Sequence, residues 1–163
     1  MEFQQETTQR IVTFLRDIGL EVKAEVLQQP TFLPGMEIRS GALIIDESKL
    51  KYPGDLLHEA GHLAVMKAEH RKLASGSDGV EAHEEMAAIA WSYAALLHIG
   101  LEPSVVFHPD GYKGASQSIM ENFEGGHYFG VPILQWLGLT AEPKLAQEMA
   151  ISPYPHMMAW LAN

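Results

Sequence analysis

Hydrophobic residues in the first twenty positions repeat at helical spacing. They lie three and four positions apart, at Ile11, Phe14, Leu15 and Ile18. This pattern predicts an amphipathic helix that ends at Gly19, because glycine commonly closes helices. The stretch 20–26 fits either a strand or more helix, and both alternatives stay open.

Two short apolar segments then suggest a small sheet. Met36–Arg39 alternates between apolar and polar residues, and Ala42–Asp46 is mostly apolar and β-branched. Ser40-Gly41 separates the two segments. This arrangement predicts a β-hairpin.

Two long helices follow the hairpin. The first is predicted from Asp55, as its N-cap, to about Arg71, where basic side chains favour a helix C-terminus. The second is predicted from about Val80 to His98, and Gly100 closes it. Its residues are apolar nearly all round, which is typical of a buried central helix.

The rest of the chain predicts short helices at 115–123, 131–137, 144–150 and 156–161. We expect the three tryptophans, Trp91, Trp136 and Trp160, to lie in the core. The sequence shows no internal repeat and no domain boundary, and its 163 residues fit one domain. The expected fold class is therefore α+β, mainly helical, with a small sheet against the two long helices.

Composition limits the partners and the chemistry. The chain has no cysteine, so any metal must be held by His, Asp or Glu. A net charge of −10 argues against direct binding to nucleic acid or to an anionic membrane. The apolar run 86–101 is short for a membrane span, and the polar first residues show no secretory signal, so we expect a cytoplasmic protein.

The segment His58-Glu59-Ala60-Gly61-His62 carries the clearest chemical signal. On a helix, His58 and His62 lie one turn apart on one face and can bind one metal ion. Glu59 lies beside them, where a carboxylate can act as general base towards a metal-activated water. Gly61 costs about 1 kcal/mol in a helix relative to alanine, so we expect another element to approach closely there.

A metal site of this kind needs a third protein ligand. The second helix offers Glu81, His83, Glu84 and Glu85. Glu81 is explained by a capping box with Asp78 as N-cap. Glu85 lies on one stripe with Ala88 and Ser92, where burying a carboxylate would be costly without a cation. The interpretation therefore favours Glu85, with Glu84 as the alternative.

These residues carry a resemblance to a known family. The HEAGH segment, followed about two dozen residues later by Glu85-x-x-x-x-Ala90, resembles the zincin metallopeptidases of the gluzincin type, most of all small ImmA/IrrE-like and minimal zincin-like proteins. The matching stretch is about 36–97. The resemblance implies Zn²⁺ bound by His58, His62 and Glu85, with Glu59 as general base, and a peptide or protein as substrate.

The same resemblance raises two further questions. Such peptidases often add a His or Tyr that stabilises the oxyanion, and the candidates here are His127, Tyr128, His108 and Tyr112. Ala42–Asp46 is either an edge strand along which a peptide pairs or an inner strand covered by the first helix.

Two rival functions stay open: a catalytically weak metal-binding regulatory or interaction module, and a metal-free structural domain.

Overall fold

Helices dominate the chain, and a small sheet lies near its beginning. The computed structural model describes residues 2–76 and 82–163, with side chains at 82 and 83 excepted. The described elements are α1 (Glu6–Asp17), β1 (Val22–Ala24), β2 (Met36–Arg39), β3 (Ala42–Ile45), α2 (Asp55–Val65), α3 (Ala68–Arg71), α4 (Ala82–Ile99), α5 (Ser116–Glu124), α6 (Val131–Trp136) and α7 (Pro143–Met149). The predicted α+β class is confirmed. Among these residues, no helix combines the length and the apolar character needed to cross a bilayer.

The sheet has the strand order β1-β3-β2, so β3 is its central strand. β2 and β3 form the predicted antiparallel hairpin, with Met36 opposite Ile45, and β1 pairs with β3 in parallel. All four residues of β3 are buried. The segment is therefore an inner strand and the edge-strand alternative is wrong, because β1 and β2 pair with both edges of β3.

The predicted motif helix ends earlier than the sequence indicated. α2 stops at Val65, Met66 adopts an extended backbone, and the short α3 follows. Arg71, in α3, donates hydrogen bonds from Nε to Leu63 O at 2.7 Å and from a terminal nitrogen to Met66 O at 2.9 Å. The basic residue therefore satisfies the last carbonyls of α2 from outside that helix, which stabilises the break.

α2 and α4 pack directly against each other. A Cβ placed on Gly61 would lie 2.9 Å from Ala88 O and 3.3 Å from Ala88 Cβ. The close approach expected at Gly61 is thus confirmed, and the neighbouring element is α4. Ser92 is fully buried, and its hydroxyl is within hydrogen-bonding distance of Ala88 O, at 2.7 Å, and of Leu57 O, at 3.2 Å.

Most of the predicted helices are present, but the one at 156–161 is wrong. Backbone amides in this segment and just after it bond to distant parts of the chain. Met158 N–H donates to Leu139 O at 2.8 Å, and Ala162 N–H donates to Ala64 O at 2.8 Å. The Thr140 hydroxyl also donates to His156 O at 2.6 Å. Since these groups are committed to tertiary partners, no helical hydrogen-bond ladder forms there.

The prediction that Trp136 lies in the core is also wrong. Trp91 is completely buried and Trp160 packs against the core, whereas 82% of Trp136 is exposed. α6 is only six residues long and buries Val131 and Leu134 on the opposite side. Helical spacing of apolar residues was therefore not enough to predict that Trp136 lies on the exposed face of α6.

Candidate metal centre

His58 and His62 project from the same face of α2, as their spacing predicts. Their Nε2 atoms lie 3.2 Å apart, and the ring planes are nearly perpendicular, at 89°. His62 is buried, and His58 is partly buried. Because the backbone of α2 fixes both side chains one turn apart, the two nitrogen atoms that can bind a metal point to one place.

Glu85 reaches the same place from α4. Its Oε2 lies 3.0 Å from His62 Nε2, and its Oε1 lies 3.3 Å from His58 Nε2. Glu84, the alternative in the sequence, lines the wall of the adjoining cavity. The helix pair therefore brings two imidazoles and the Glu85 carboxylate together. Two of the other candidates, Glu81 and the side chain of His83, lie outside the described residues, as does the proposed cap Asp78.

Glu59 lies beside this cluster. One ligand atom each from His58, Glu59 and His62 falls within 4.8 Å of the others, a spacing compatible with binding to one metal ion. Burial raises the pKa of Glu59; His62 opposes this rise, and the Glu85 and Asp55 carboxylates add to it. A carboxylate whose pKa is moved towards neutrality is a better proton acceptor and donor near pH 7 than an exposed one.

The two histidines have opposite protonation tendencies. Burial lowers the pKa of His58 to about 4, against the attraction of Glu85. Burial also acts to lower the pKa of His62, but its hydrogen bond to Glu85 and the charges of Glu85, Glu59 and Glu84 outweigh burial and raise it. His58 is therefore neutral near pH 7, as a metal ligand must be, while His62 holds a proton more firmly in the absence of metal.

Tyr112 supports the cluster from behind the His58 ring. Its hydroxyl lies 3.0 Å from His58 Nδ1, and the two rings meet edge to face with centroids 5.1 Å apart. Burial, together with the carboxylates of Glu85, Asp55 and Glu59, raises the pKa of Tyr112 well above its usual range. The phenol therefore stays neutral and keeps its hydrogen.

A buried acid–imidazole pair lies next to the cluster. His108 Nε2 lies 2.6 Å from Asp55 Oδ1, and Tyr52 stacks on the His108 ring with centroids 3.7 Å apart. The Tyr52 hydroxyl donates to Asp110. Asp55 was predicted to be the N-cap of α2. In the structure Gly54 is the N-cap, and Asp55 is the first residue of the helix. No local sequence pattern predicts the pairing of Asp55 with His108, because the two residues lie 53 positions apart.

Two cavities meet at the cluster, and both include Phe32, His58 and Glu85 in their walls. The larger, of about 1050 Å³, extends along an apolar wall that includes Leu73, Ile133 and the exposed Trp136. The smaller, of about 880 Å³, is lined partly by charged and polar residues, including Lys51, Asp110 and Lys113. His58 and Glu85 therefore border both cavities.

The four candidate oxyanion donors lie in different places. His108 and Tyr112 line the smaller cavity, but both contact other side chains, Asp55 and His58. His127 and Tyr128 line neither cavity. Tyr128 instead packs in an aromatic group, with its ring centroid 4.7 Å from that of Tyr154. Residues 125–128 therefore contribute no lining side chain to the two cavities that border the cluster.

The sequence did not single out Phe32. This side chain is 85% exposed and belongs to the walls of both cavities. Its only signal was its position between the chain breakers Pro30 and Pro34-Gly35, which predicts an exposed loop but no site.

Comparisons with known proteins give no relative for this chain. No family model, no curated protein and no solved structure matches it. The interpretation of the centre therefore depends on its own geometry.

Proposed function

We propose that this protein is a zinc-dependent metallopeptidase. The observation that carries the proposal is the convergence of two imidazole nitrogens from α2 and one carboxylate from α4, with Glu59 beside them. This set combines the ligands of a catalytic zinc site with a separate acid–base group.

The donor set fits zinc chemically. His58, His62 and Glu85 would hold the ion with two nitrogens and one carboxylate, a combination found in catalytic zinc sites that keep one position open. A bound ion would supply Lewis-acid chemistry there, lowering the pKa of water and polarising a carbonyl group. Without a cation, the half-exposed Glu85 carboxylate is shared by His58 and His62. Of these two histidines, His58 is neutral near pH 7 and so does not offset the charge of Glu85.

Glu59 supplies the acid–base function in this proposal. Its carboxylate accepts the proton of the attacking water and delivers it to the amine that leaves when the peptide bond breaks. Its raised pKa suits both steps, because the group must gain the proton and then release it near neutral pH. Neither step requires a second acid, so Glu59 is the residue whose replacement is most informative.

The shape of the cleft favours a chain-like substrate. Because His58 and Glu85 border two cavities with otherwise different lining residues, the cluster offers space for substrate residues on both sides of a cleaved bond. The apolar wall with Leu73, Ile133 and Trp136 suits a large hydrophobic side chain on one side. These features support a peptide or protein substrate over a small molecule.

The proposal is tested with a library of quenched fluorogenic peptides and three proteins: wild type, Glu59→Gln and His58→Ala. We expect wild type to contain one zinc per chain and to cleave a subset of the peptides. Glu59→Gln should keep zinc and lose turnover, whereas His58→Ala should lose both. Full activity in zinc-loaded Glu59→Gln would exclude Glu59 as the base and overturn the mechanism.

A second candidate is a metal-binding interaction module without useful catalysis. One observation favours it: of the four described side chains considered as oxyanion donors, two contact other groups and two line neither cavity. The same experiment separates the candidates. Zinc binding in wild type without cleavage of any peptide supports the module, and a wild type without stoichiometric zinc supports a structural domain.

A further inference from the structure

We propose that Tyr112 is a positioning residue whose hydroxyl engages His58 Nδ1 and fixes the orientation of the His58 ring for metal binding. The inference deepens the proposed function and rests on the zinc site described above. The Tyr112 hydroxyl lies next to His58 Nδ1. Glu85 and His62 lie next to the other ring nitrogen, His58 Nε2.

The geometry separates the two nitrogens of the His58 ring. Nε2 faces the cluster, at 3.2 Å from His62 Nε2 and 3.3 Å from Glu85 Oε1. Nδ1 faces the Tyr112 hydroxyl at 3.0 Å. One nitrogen is therefore available to a metal while a protein group engages the other, which is the usual arrangement for a histidine ligand.

The chemistry of a phenol suits this position in both states of the site. For Nε2 to bind a metal with its lone pair, the ring proton must be on Nδ1, which then donates to the Tyr112 oxygen. In the metal-free state, Nε2–H can donate to Glu85, and Nδ1 then accepts the hydrogen of the Tyr112 hydroxyl. Because a phenol both donates and accepts, Tyr112 holds the ring in place through either tautomer.

The backbone around Tyr112 adopts a conformation that is costly for these residues. Tyr112 and Lys113 both have φ of 54°, and Gly114 has φ of 85°. A left-handed backbone is unfavourable for residues with a Cβ, and such conformations are often concentrated at functional sites. The segment is closed by Ala115 N–H donating to Tyr112 O at 3.0 Å.

This turn also determines which side chains enter the cleft. Tyr112 and Lys113 line the smaller cavity, whose wall includes His58 and Glu85. The Tyr112 ring packs against Phe107, with centroids 5.4 Å apart, and meets His58 edge to face. The hydroxyl is therefore directed at Nδ1 by contacts on both sides of the ring as well as by the backbone.

The test compares Tyr112→Phe with Tyr154→Phe. Each variant deletes one tyrosine hydroxyl that makes a hydrogen bond, since Tyr154 donates to Ala90 O at 2.7 Å. The zinc dissociation constant is measured by competition with a chromophoric chelator, and the tautomer of His58 is followed by ¹⁵N NMR of histidine-labelled protein. Thermal melting of each variant checks that it is folded.

We expect Tyr112→Phe to bind zinc about 10–100-fold more weakly than wild type, as is typical when an outer partner of a metal ligand is lost. Tyr154→Phe should bind zinc with wild-type affinity, even though it also loses a buried hydrogen bond. In the metal-free protein, the ¹⁵N signals of His58 in Tyr112→Phe should report the loss of the hydrogen bond at Nδ1, with a changed tautomer population, because the two tautomers lose different hydrogen bonds. A purely structural role for Tyr112 would not produce this change.

Two results would overturn the inference and are distinguishable. Zinc affinity in Tyr112→Phe within about twofold of wild type, with an unchanged His58 tautomer, contradicts the role of Tyr112 but leaves the proposed zinc site intact. Equal losses in Tyr112→Phe and Tyr154→Phe also contradict it, because the effect would then follow stability alone. A wild-type protein that binds no zinc overturns the proposed function itself.

Discussion

Gly61 of α2 lies directly against Ala88 of α4, at a distance that leaves no room for another carbon atom. A Cβ at position 61 would be 2.9 Å from Ala88 O and 3.2 Å from Ala88 Cα. His62 follows Gly61 immediately, and Glu85 lies one turn before Ala88. The contact therefore helps to set the separation between the imidazoles of one helix and the carboxylate of the other.

Gly61→Ala should lower both stability and zinc affinity. Overpacking typically costs about 1–3 kcal/mol, which is partly offset by the roughly 1 kcal/mol that alanine gains over glycine in a helix. The movement of α2 away from α4 would also increase the distance from His62 to Glu85. Urea unfolding and a chelator competition assay measure the two effects.

The control for this variant is Ser118→Ala, which changes an exposed position of α5 and should leave both quantities nearly unchanged. Wild-type stability and zinc affinity in Gly61→Ala would show that the helices tolerate a wider spacing. In that case the close contact would not position the ligands.

Glu85→Gln should weaken zinc binding far more than Glu84→Gln. Glu85 lies within 3.3 Å of both imidazoles, so its replacement would remove the charge of the proposed third ligand. We expect a loss of at least about 100-fold, the upper end of the range for residues that only contact a ligand. Glu84 is a matched control because it carries the same charge on the adjacent residue of α4. Its replacement should change zinc affinity by less than about tenfold, through long-range charge alone.

Competition between chelator and protein gives both affinities. A larger loss in Glu84→Gln than in Glu85→Gln would contradict the assignment and make Glu84 the third ligand. The result would then require α4 to turn relative to α2 when metal binds.

Zinc affinity should rise with pH because His62 must lose a proton when it becomes a ligand. The Glu85 and Glu59 carboxylates outweigh burial and hold the pKa of His62 above its ordinary value of 6.5. Below that raised pKa, each fall of one pH unit should weaken zinc binding about tenfold, with release of about one proton per zinc. His58, with a pKa of about 4, should add to this dependence only in more acid solution.

Isothermal titration calorimetry in buffers of different ionisation enthalpy counts the released protons. Tyr154→Phe should give the same proton count as wild type and serves as the control. Release of two protons near pH 6 would show that both histidines are charged without metal, and a pH-independent affinity would show that neither is. Either outcome contradicts the inferred difference in pKa between His58 and His62.

The local sequence was enough to predict the elements that depend on neighbouring residues. The 3.6-residue repeat identified α1, the long run that is apolar nearly all round identified α4, and the segments on either side of Ser40-Gly41 identified the β2–β3 hairpin. The one-turn spacing of His58 and His62 predicted that their side chains share a face, because helix geometry alone fixes that relation.

Predictions failed where distant residues decide the outcome. Trp136 has an apolar side chain at helical spacing, but the faces of α6 that become buried are set by its contacts with α4 and not by its own pattern. No helix forms at 156–161 because backbone amides in and just after this segment donate to Leu139 O and Ala64 O. These acceptors are too far away in the sequence for a local pattern to reveal them. The early end of α2 likewise depends on Arg71, whose side chain turns back to Leu63.

For the candidate site, the sequence by itself determined the chemical types available: two imidazoles, one adjacent carboxylate, a glycine at the helix contact and several acidic residues on α4. Only the tertiary structure decided that Glu85 meets both imidazoles, that Tyr112 engages His58 Nδ1, and that Asp55 pairs with His108. The physical reason is that spacing along a helix fixes relations over a few residues, whereas contacts between separate segments follow from packing of the whole chain.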